Sequence, residues 1–143
     1  MTANCIDVSS WQSNIDWKRV KAAGIEAVII RAGFGTTKDN QFENHYAGAK
    51  AAGLHIGAYW YSYAYSAEEA DKEAATCIKI LRGKDFTLPV YYDMEEDGQM
   101  SLGSAEMTAI ACRFLDTVQA AGYRVGMYSS QLVQLLSQLR RAA

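Results

Sequence analysis

The chain has 143 residues, half of them apolar, and a net charge of −2. That is the size of one domain with room for a sizeable core. The charge excludes a basic nucleic-acid footprint, and no apolar run reaches the length of a membrane span.

The elements alternate along the chain. Ile6 to Ser10 is a short first strand ending in polar residues. Asn14 or Asp16 caps a first helix with Trp17, Val20 and Ala23 on one face, and Gly24 stops it. Ile25 to Ile30 is a second strand, and Gly33 to Asn40 a loop. A second helix spans Gln41 to Ala52. Leu54 to Tyr61 is the third strand, with Ser62 to Tyr65 as its exit loop. Ser66-Ala-Glu-Glu69 fits a capping box opening a third helix, which Gly83 ends. Thr87 to Glu95 is the fourth strand. Ser104 caps a fourth helix, with Met107, Ile110, Ala111, Phe114 and Val118 on one stripe. Tyr123 to Tyr128 is the fifth strand, and Gln131 to Arg140 a last helix.

Strand then helix, five times over, means a parallel α/β sheet. Lys21-Ala-Ala-Gly, Lys50-Ala-Ala-Gly and Gln119-Ala-Ala-Gly form a weak internal repeat. Each Gly suits a helix C′ position with positive φ. No linker divides the chain. Two architectures fit. A doubly wound sheet is complete with five strands. A parallel β/α (TIM-like) barrel needs eight, of which this chain holds five. Both place active sites at the strand C-terminal ends. Arg31-Ala-Gly-Phe-Gly-Thr-Thr lacks the third glycine of a dinucleotide fingerprint, so nucleotide binding is not indicated.

One stretch stands out at those ends. Val90-Tyr-Tyr-Asp-Met-Glu-Glu-Asp97 runs from an apolar strand into four acids. Asp93 and Glu95 lie two residues apart, so on extended chain both carboxyls share one face, roughly 6.5–7 Å along the strand. Met94 points the other way, and Glu96 and Asp97 read as solvated loop. Two carboxyls at a buried strand end can divide acid and base roles if their surroundings pull their pKa values apart. The bland alternative is a solvated acidic loop. Against it, a parallel sheet brings Asp7, Ser9, Ser10, Arg31, Tyr61 and Tyr128 to the same rim. Arg31 reads equally as a salt-bridge partner. Alternation sends Tyr61 to the mouth and leaves Tyr59 and Trp60 to packing. His45 and His55 sit away from the rim, and no Cys/His cluster suggests zinc. The three cysteines, Cys5, Cys77 and Cys112, lack metal spacing and a disulfide framework and read as small buried residues. No cofactor is called for.

The segments Ile6-Asp-Val-Ser-Ser-Trp-Gln, Ile15-Asp-Trp, Val28-Ile-Ile-Arg-Ala-Gly, Gly57-Ala-Tyr-Trp-Tyr-Ser and Leu88-Pro-Val-Tyr-Tyr-Asp-Met-Glu resemble the glycoside hydrolase family 25 lysozymes, the Chalaropsis-type muramidases of fungi, bacteria and phage endolysins. The resemblance runs to about Ser130. It implies cleavage of the β-1,4 bond between N-acetylmuramic acid and N-acetylglucosamine in peptidoglycan. It makes Glu95 the general acid/base, Asp93 the second catalytic carboxylate and Asp7 an acid lining the site. Tyr61 and Tyr128 correspond to substrate contacts, and Arg31 joins them on the rim. The family fold is an eight-stranded irregular barrel. Its last three strands, with a Trp-rich segment and another acid, have no counterpart in Gln131 to Ala143. The expectation is therefore a single catalytic domain over 1–143, about the first two-thirds of the family domain. Open edges on the first and fifth strands would invite self-association.

Glycan strands of peptidoglycan are the expected partner. Met1 to Cys5 shows no basic or apolar leader, so the expected route is a cytoplasmic protein that reaches the wall on release, as a phage endolysin does. Two other classes remain open: a non-catalytic cell-wall carbohydrate-binding module, and a metal-dependent hydrolase using Asp7, Asp93, Glu95 and Asp97 as oxygen ligands.

Overall fold

The structure is a computed structural model and describes residues 4–128. In order the elements are β1 (Cys5–Val8), α1 (Trp17–Ala22), β2 (Ala27–Phe34), β3 (Thr37–Lys38), α2 (Phe42–Ala51), β4 (His55–Tyr61), α3 (Ala67–Leu81), β5 (Val90–Asp93), α4 (Asp97–Met100), α5 (Ser104–Ala120) and β6 (Val125–Tyr128). The predicted last helix and Ser129 lie outside the described residues.

Five strands run parallel in the order β1-β2-β4-β5-β6, and β3 adds antiparallel to β2. The fold is thus mixed α/β with a parallel sheet. Strands neighbour one another in chain order, without the reversal that marks a doubly wound sheet. The two faces differ. Val28, Ile30, Ile56, Ala58, Trp60, Val90, Tyr92 and Met94 are buried and share one core with Phe42 and Ala49 of α2, Ala70 and Ala74 of α3, and Ile110 and Phe114 of α5. The opposite face carries Asp7, Ile29, Tyr59, Tyr91 and Asp93, which line a hollow instead.

Local chemistry explains the boundaries. Asp16, and not Asn14, caps α1 by accepting the Arg19 N–H. Ser66 caps α3 through the Glu69 N–H. Glu69 accepts not from Ser66 but from the Tyr65 N–H, one residue further out. Ser104 is no cap: Gly103 holds that position at φ 91°, and Ser104 is the first helical residue. The repeated Gly24, Gly53 and Gly122 all sit at positive φ after their helices, as the repeat predicts. The fourth strand is shorter than expected because Pro89 has no N–H for the ladder. Single bonds continue the ladder past both ends, Leu88 N–H to Ile56 O and Met94 N–H to Tyr128 O. The second strand is longer than predicted, since a register shift between Arg31 and Gly33 lets it continue to Phe34 and pair with β3.

The core is aromatic at its centre. The Tyr92 and Phe114 rings stack with centroids 3.9 Å apart, and Trp60 donates its indole N–H to Gly35 O. Gly33 permits this packing: a Cβ there would overlap the Thr37 carbonyl and the Trp60 ring. Gly33→Ala should therefore cost about 1–3 kcal/mol through overpacking, read as a lower midpoint in urea with unchanged slope. Of the cysteines only Cys77 is buried; Cys5 and Cys112 are exposed.

Candidate active site

The C-terminal ends of the parallel strands share one rim. Register places Tyr61, Asp93 and Tyr128 side by side, with Arg31, Tyr59 and Tyr91 one step below. Below and between them opens a cavity of about 400 Å³ lined by Asp7, Ile29, Tyr59, Tyr91, Asp93 and Tyr128. Most of these side chains follow the alternation of Asp93, every second residue along each strand.

Asp93 dominates the electrostatics. It is 9 % exposed, and its Oδ1 is buried with no hydrogen-bond partner. Burial, then the Glu95 charge, a hydrogen bond shared with Glu95 and the Asp7 charge push its pKa up to about 7. The neighbouring Glu95 carboxyl thus favours a proton on Asp93. Asp93 is the more deeply buried of the two carboxyls. Glu95 is half-buried in the turn just past β5.

Aromatic rings border this pair. Tyr61 donates its hydroxyl to Glu96 at 2.8 Å, and its ring lies 5.2 Å from that of Tyr63. Tyr63 meets Phe34 edge-on at 6.4 Å, and the Arg31 guanidinium lies 4.8 Å over Phe34. Tyr128 is 62 % exposed. Flat apolar faces with polar edges at a cavity mouth suit sugar rings. Burial pushes the Tyr59 hydroxyl up to about 12, so it stays a neutral donor at physiological pH.

The sequence profile of glycosyl hydrolases family 25 matches residues 6–138. The chain belongs to glycosyl hydrolases family 25. It is 31 % identical to the autolytic lysozyme of Clostridium acetobutylicum over 127 residues, 87 % of this chain and 37 % of that one. It is 45 % identical to lysozyme M1 of Streptomyces globisporus over 58 residues, 40 % of this chain and 20 % of that one. Its fold matches the modular autolysin LytC from Streptococcus pneumoniae at a TM-score of 0.81 and 26 % identity, covering 91 % of this chain and 33 % of LytC. LytC has also been solved in complex with a synthetic peptidoglycan ligand. The family 25 chain thus spans between a fifth and about two-fifths of the length of these relatives.

The family 25 mouth brings together most of the residues singled out from the sequence. Asp7, Asp93 and Tyr128 line one cavity, and Glu95 acts on Asp93 from just past the strand end. Tyr61 stands on the same rim. Arg31 does not meet the acidic pair. Its Nε binds Asp39 Oδ2 at 2.7 Å and its Nη2 the Ser10 hydroxyl at 2.9 Å. Asp39 is 1 % exposed and also accepts from the Ser10 and Gln41 N–H groups. Arg31 is therefore a brace between the exits of β1 and β2. His45 supports the same exit with a 3.0 Å contact to Ser9 O.

Other assignments change. Tyr59, read as packing, lines the cavity, because it lies two residues from Tyr61 on the same strand. Tyr91 was not singled out, yet the same step back from Asp93 finds it. Glu96 is no free loop residue, since Tyr61 donates to it, and Asp97 opens the short helix α4. Asp39 had no signal in the sequence beyond its charge. Among the described residues no group of three or more His, Cys, Asp or Glu side chains is arranged to hold a metal ion. None of their helices is long and apolar enough to cross a membrane.

Proposed function

We propose that this chain is a lysozyme: it hydrolyses the β-1,4 bond between N-acetylmuramic acid and N-acetylglucosamine in bacterial peptidoglycan. The observation that carries this reading is buried Asp93, raised by its neighbour Glu95, in the wall of a cavity bordered by tyrosines. Family membership and a relative that binds a synthetic peptidoglycan ligand support the same substrate.

The chemistry follows from the pair. Burial and the neighbouring Glu95 and Asp7 charges favour a proton on Asp93, beside Glu95. Asp93 Oδ1 is a buried acceptor without a partner. An N-acetyl N–H of the substrate supplies that partner, favours the ionised form of Asp93 and leaves the proton on Glu95. Glu95 then protonates the glycosidic oxygen as the C–O bond breaks. The substrate's acetamido oxygen, held by Asp93, attacks the anomeric carbon and retains the configuration after hydrolysis. Glu95, now a carboxylate, takes a proton from the water that opens the cyclic intermediate, so one water is consumed per bond. Asp7 adds negative charge across the cavity, favouring the positive charge that develops at the anomeric centre. Tyr59, Tyr61, Tyr91 and Tyr128 orient the sugar rings.

The sheet itself supports a larger frame. Chain-order parallel strands, a single shared core on one face and a cavity on the other suit an arc of an eight-stranded β/α barrel, to which these five strands belong as the larger part of one catalytic domain. Among the described residues β1 and β6 each pair with one neighbour, so their outer edges would accept a further strand. Sedimentation of the purified chain distinguishes self-association from closure within one molecule. The site of action is the cell wall.

The purified chain is expected to clear a suspension of peptidoglycan and release reducing sugar. Binding to the wall without release of reducing ends would instead describe a carbohydrate-binding module.

A further inference from the structure

Behind the mouth, on the helix side of the sheet, a polar cluster interrupts the apolar core. Glu73 of α3 is 2 % exposed and has no ion-pair partner among the described residues. Its Oε1 accepts from the Ser62 hydroxyl at 2.8 Å and the Tyr92 hydroxyl at 2.5 Å, and its Oε2 from the Tyr63 N–H at 2.8 Å. The Ser62 oxygen itself accepts from Gln99 Nε2 at 2.8 Å and the Ala64 N–H at 3.1 Å. Those two bonds fill its lone pairs, so its proton goes outward, to Glu73 or to the Tyr92 hydroxyl 2.7 Å away. Donors thus converge on one carboxyl, while its burial, the larger effect, raises its pKa. A buried carboxylate is costly, and a well-packed apolar group would serve stability better.

The partners of Glu73 are not random core residues. Ser62 and Tyr63 follow Tyr61 at the exit of β4. Tyr92 immediately precedes Asp93. Gln99 lies in α4, which closes the turn bearing Glu95 and Glu96, and its Nε2 also reaches Ala64 O. The Ser62 N–H donates to the Asp93 backbone carbonyl at 2.8 Å. One side chain therefore ties together the three segments that carry the acidic pair and its aromatic border.

We propose that Glu73 is a positioning residue: through Ser62, Tyr92 and Gln99 it holds Asp93 and Glu95 at their height in the mouth. The catalytic part of this proposal rests on the lysozyme reading; the geometric part does not. Glu73→Gln keeps one acceptor oxygen and turns an N–H₂ toward the remaining donors, so at least one donor loses its partner. A displacement of about 1 Å at a reacting group costs on the order of 10²-fold. In folded Glu73→Gln, kcat on peptidoglycan should fall about 10²-fold with KM unchanged, the mark of lost alignment rather than lost binding.

The second readout needs no activity. Carbon-13 NMR of the Asp93 carboxyl, assigned by its loss in Asp93→Asn, should show titration near pH 7 in the natural chain. In Glu73→Gln the loosened strand end admits water, and the value should drop by about one unit or more. The other ionisable groups facing Asp93, namely Glu95, Asp7, Tyr59 and Tyr61, are unchanged in that variant. A folded variant with natural kcat and an unmoved Asp93 titration overturns the proposal. If the natural chain cleaves nothing, the lysozyme reading fails and the Asp93 titration alone decides. If Glu73→Gln does not fold, Tyr92→Phe, which keeps the stack on Phe114, takes its place with the same two readouts.

Discussion

Glu95→Gln should reduce peptidoglycan hydrolysis about 10³-fold or more, the largest effect expected of a single substitution in this chain. Gln is nearly isosteric with Glu but holds no proton to give to the glycosidic oxygen and cannot take one from water. Both half-reactions assigned to this position are lost together. Folding should be untouched, because Glu95 sits in a turn past the end of β5 and its partner there is Asp93. A second consequence separates this account from simple damage. The Glu95 charge and its hydrogen bond are among the causes that raise Asp93. In Glu95→Gln the Asp93 titration should move down from about 7 while the protein stays folded. Full activity in the variant would remove Glu95 from the mechanism.

Asp93→Asn should lower kcat on the order of 10²-fold while making the protein more stable above neutral pH. The two halves have one cause. Asp93 titrates near 7 in the fold and near 3.8 when unfolded. Between these values the folded state holds more protons than the unfolded one, so stability falls as pH rises through that window. The full shift would correspond to about 4 kcal/mol; the open mouth screens part of it, and about 1–2 kcal/mol is the working expectation. Asn mimics the protonated carboxyl, donates to Glu95 and carries no such penalty. Its melting temperature should exceed that of the natural chain at pH 8 by several degrees and match it near pH 4. Activity of the natural chain should decline as pH rises through about 7, as free Asp93 loses the proton that substrate binding passes to Glu95. Equal stability of the two proteins at pH 8 would contradict the burial argument.

The sheet and its rim were legible because they depend on short-range rules. Period-two alternation puts Asp93 and Glu95 on one face, and chain-order winding carries Asp7, Tyr61 and Tyr128 to the same end. The same rule, applied two residues back, finds Tyr59 and Tyr91; reading Trp60 and Tyr59 together as packing obscured it. What escaped depends on distant partners. Asp39 looks like any loop acid until Arg31 and Ser10 meet it across 8 and 29 residues. Glu73 sits on an alanine-rich helix face and gains its meaning from Ser62 and Tyr92, 11 and 19 residues away. The strand β3 has two residues, too few for any periodicity. The raised pKa of Asp93 depends first on its burial, which spacing alone does not express.

The central claim is tested most directly by the new chain ends made in purified peptidoglycan. Digests of the natural chain, reduced with borohydride and hydrolysed to monosaccharides, should yield reduced muramic acid in proportion to turbidity lost, with none from Glu95→Gln. Reduced glucosamine instead, or clearance without new reducing ends, would contradict the assignment of this site as a muramidase.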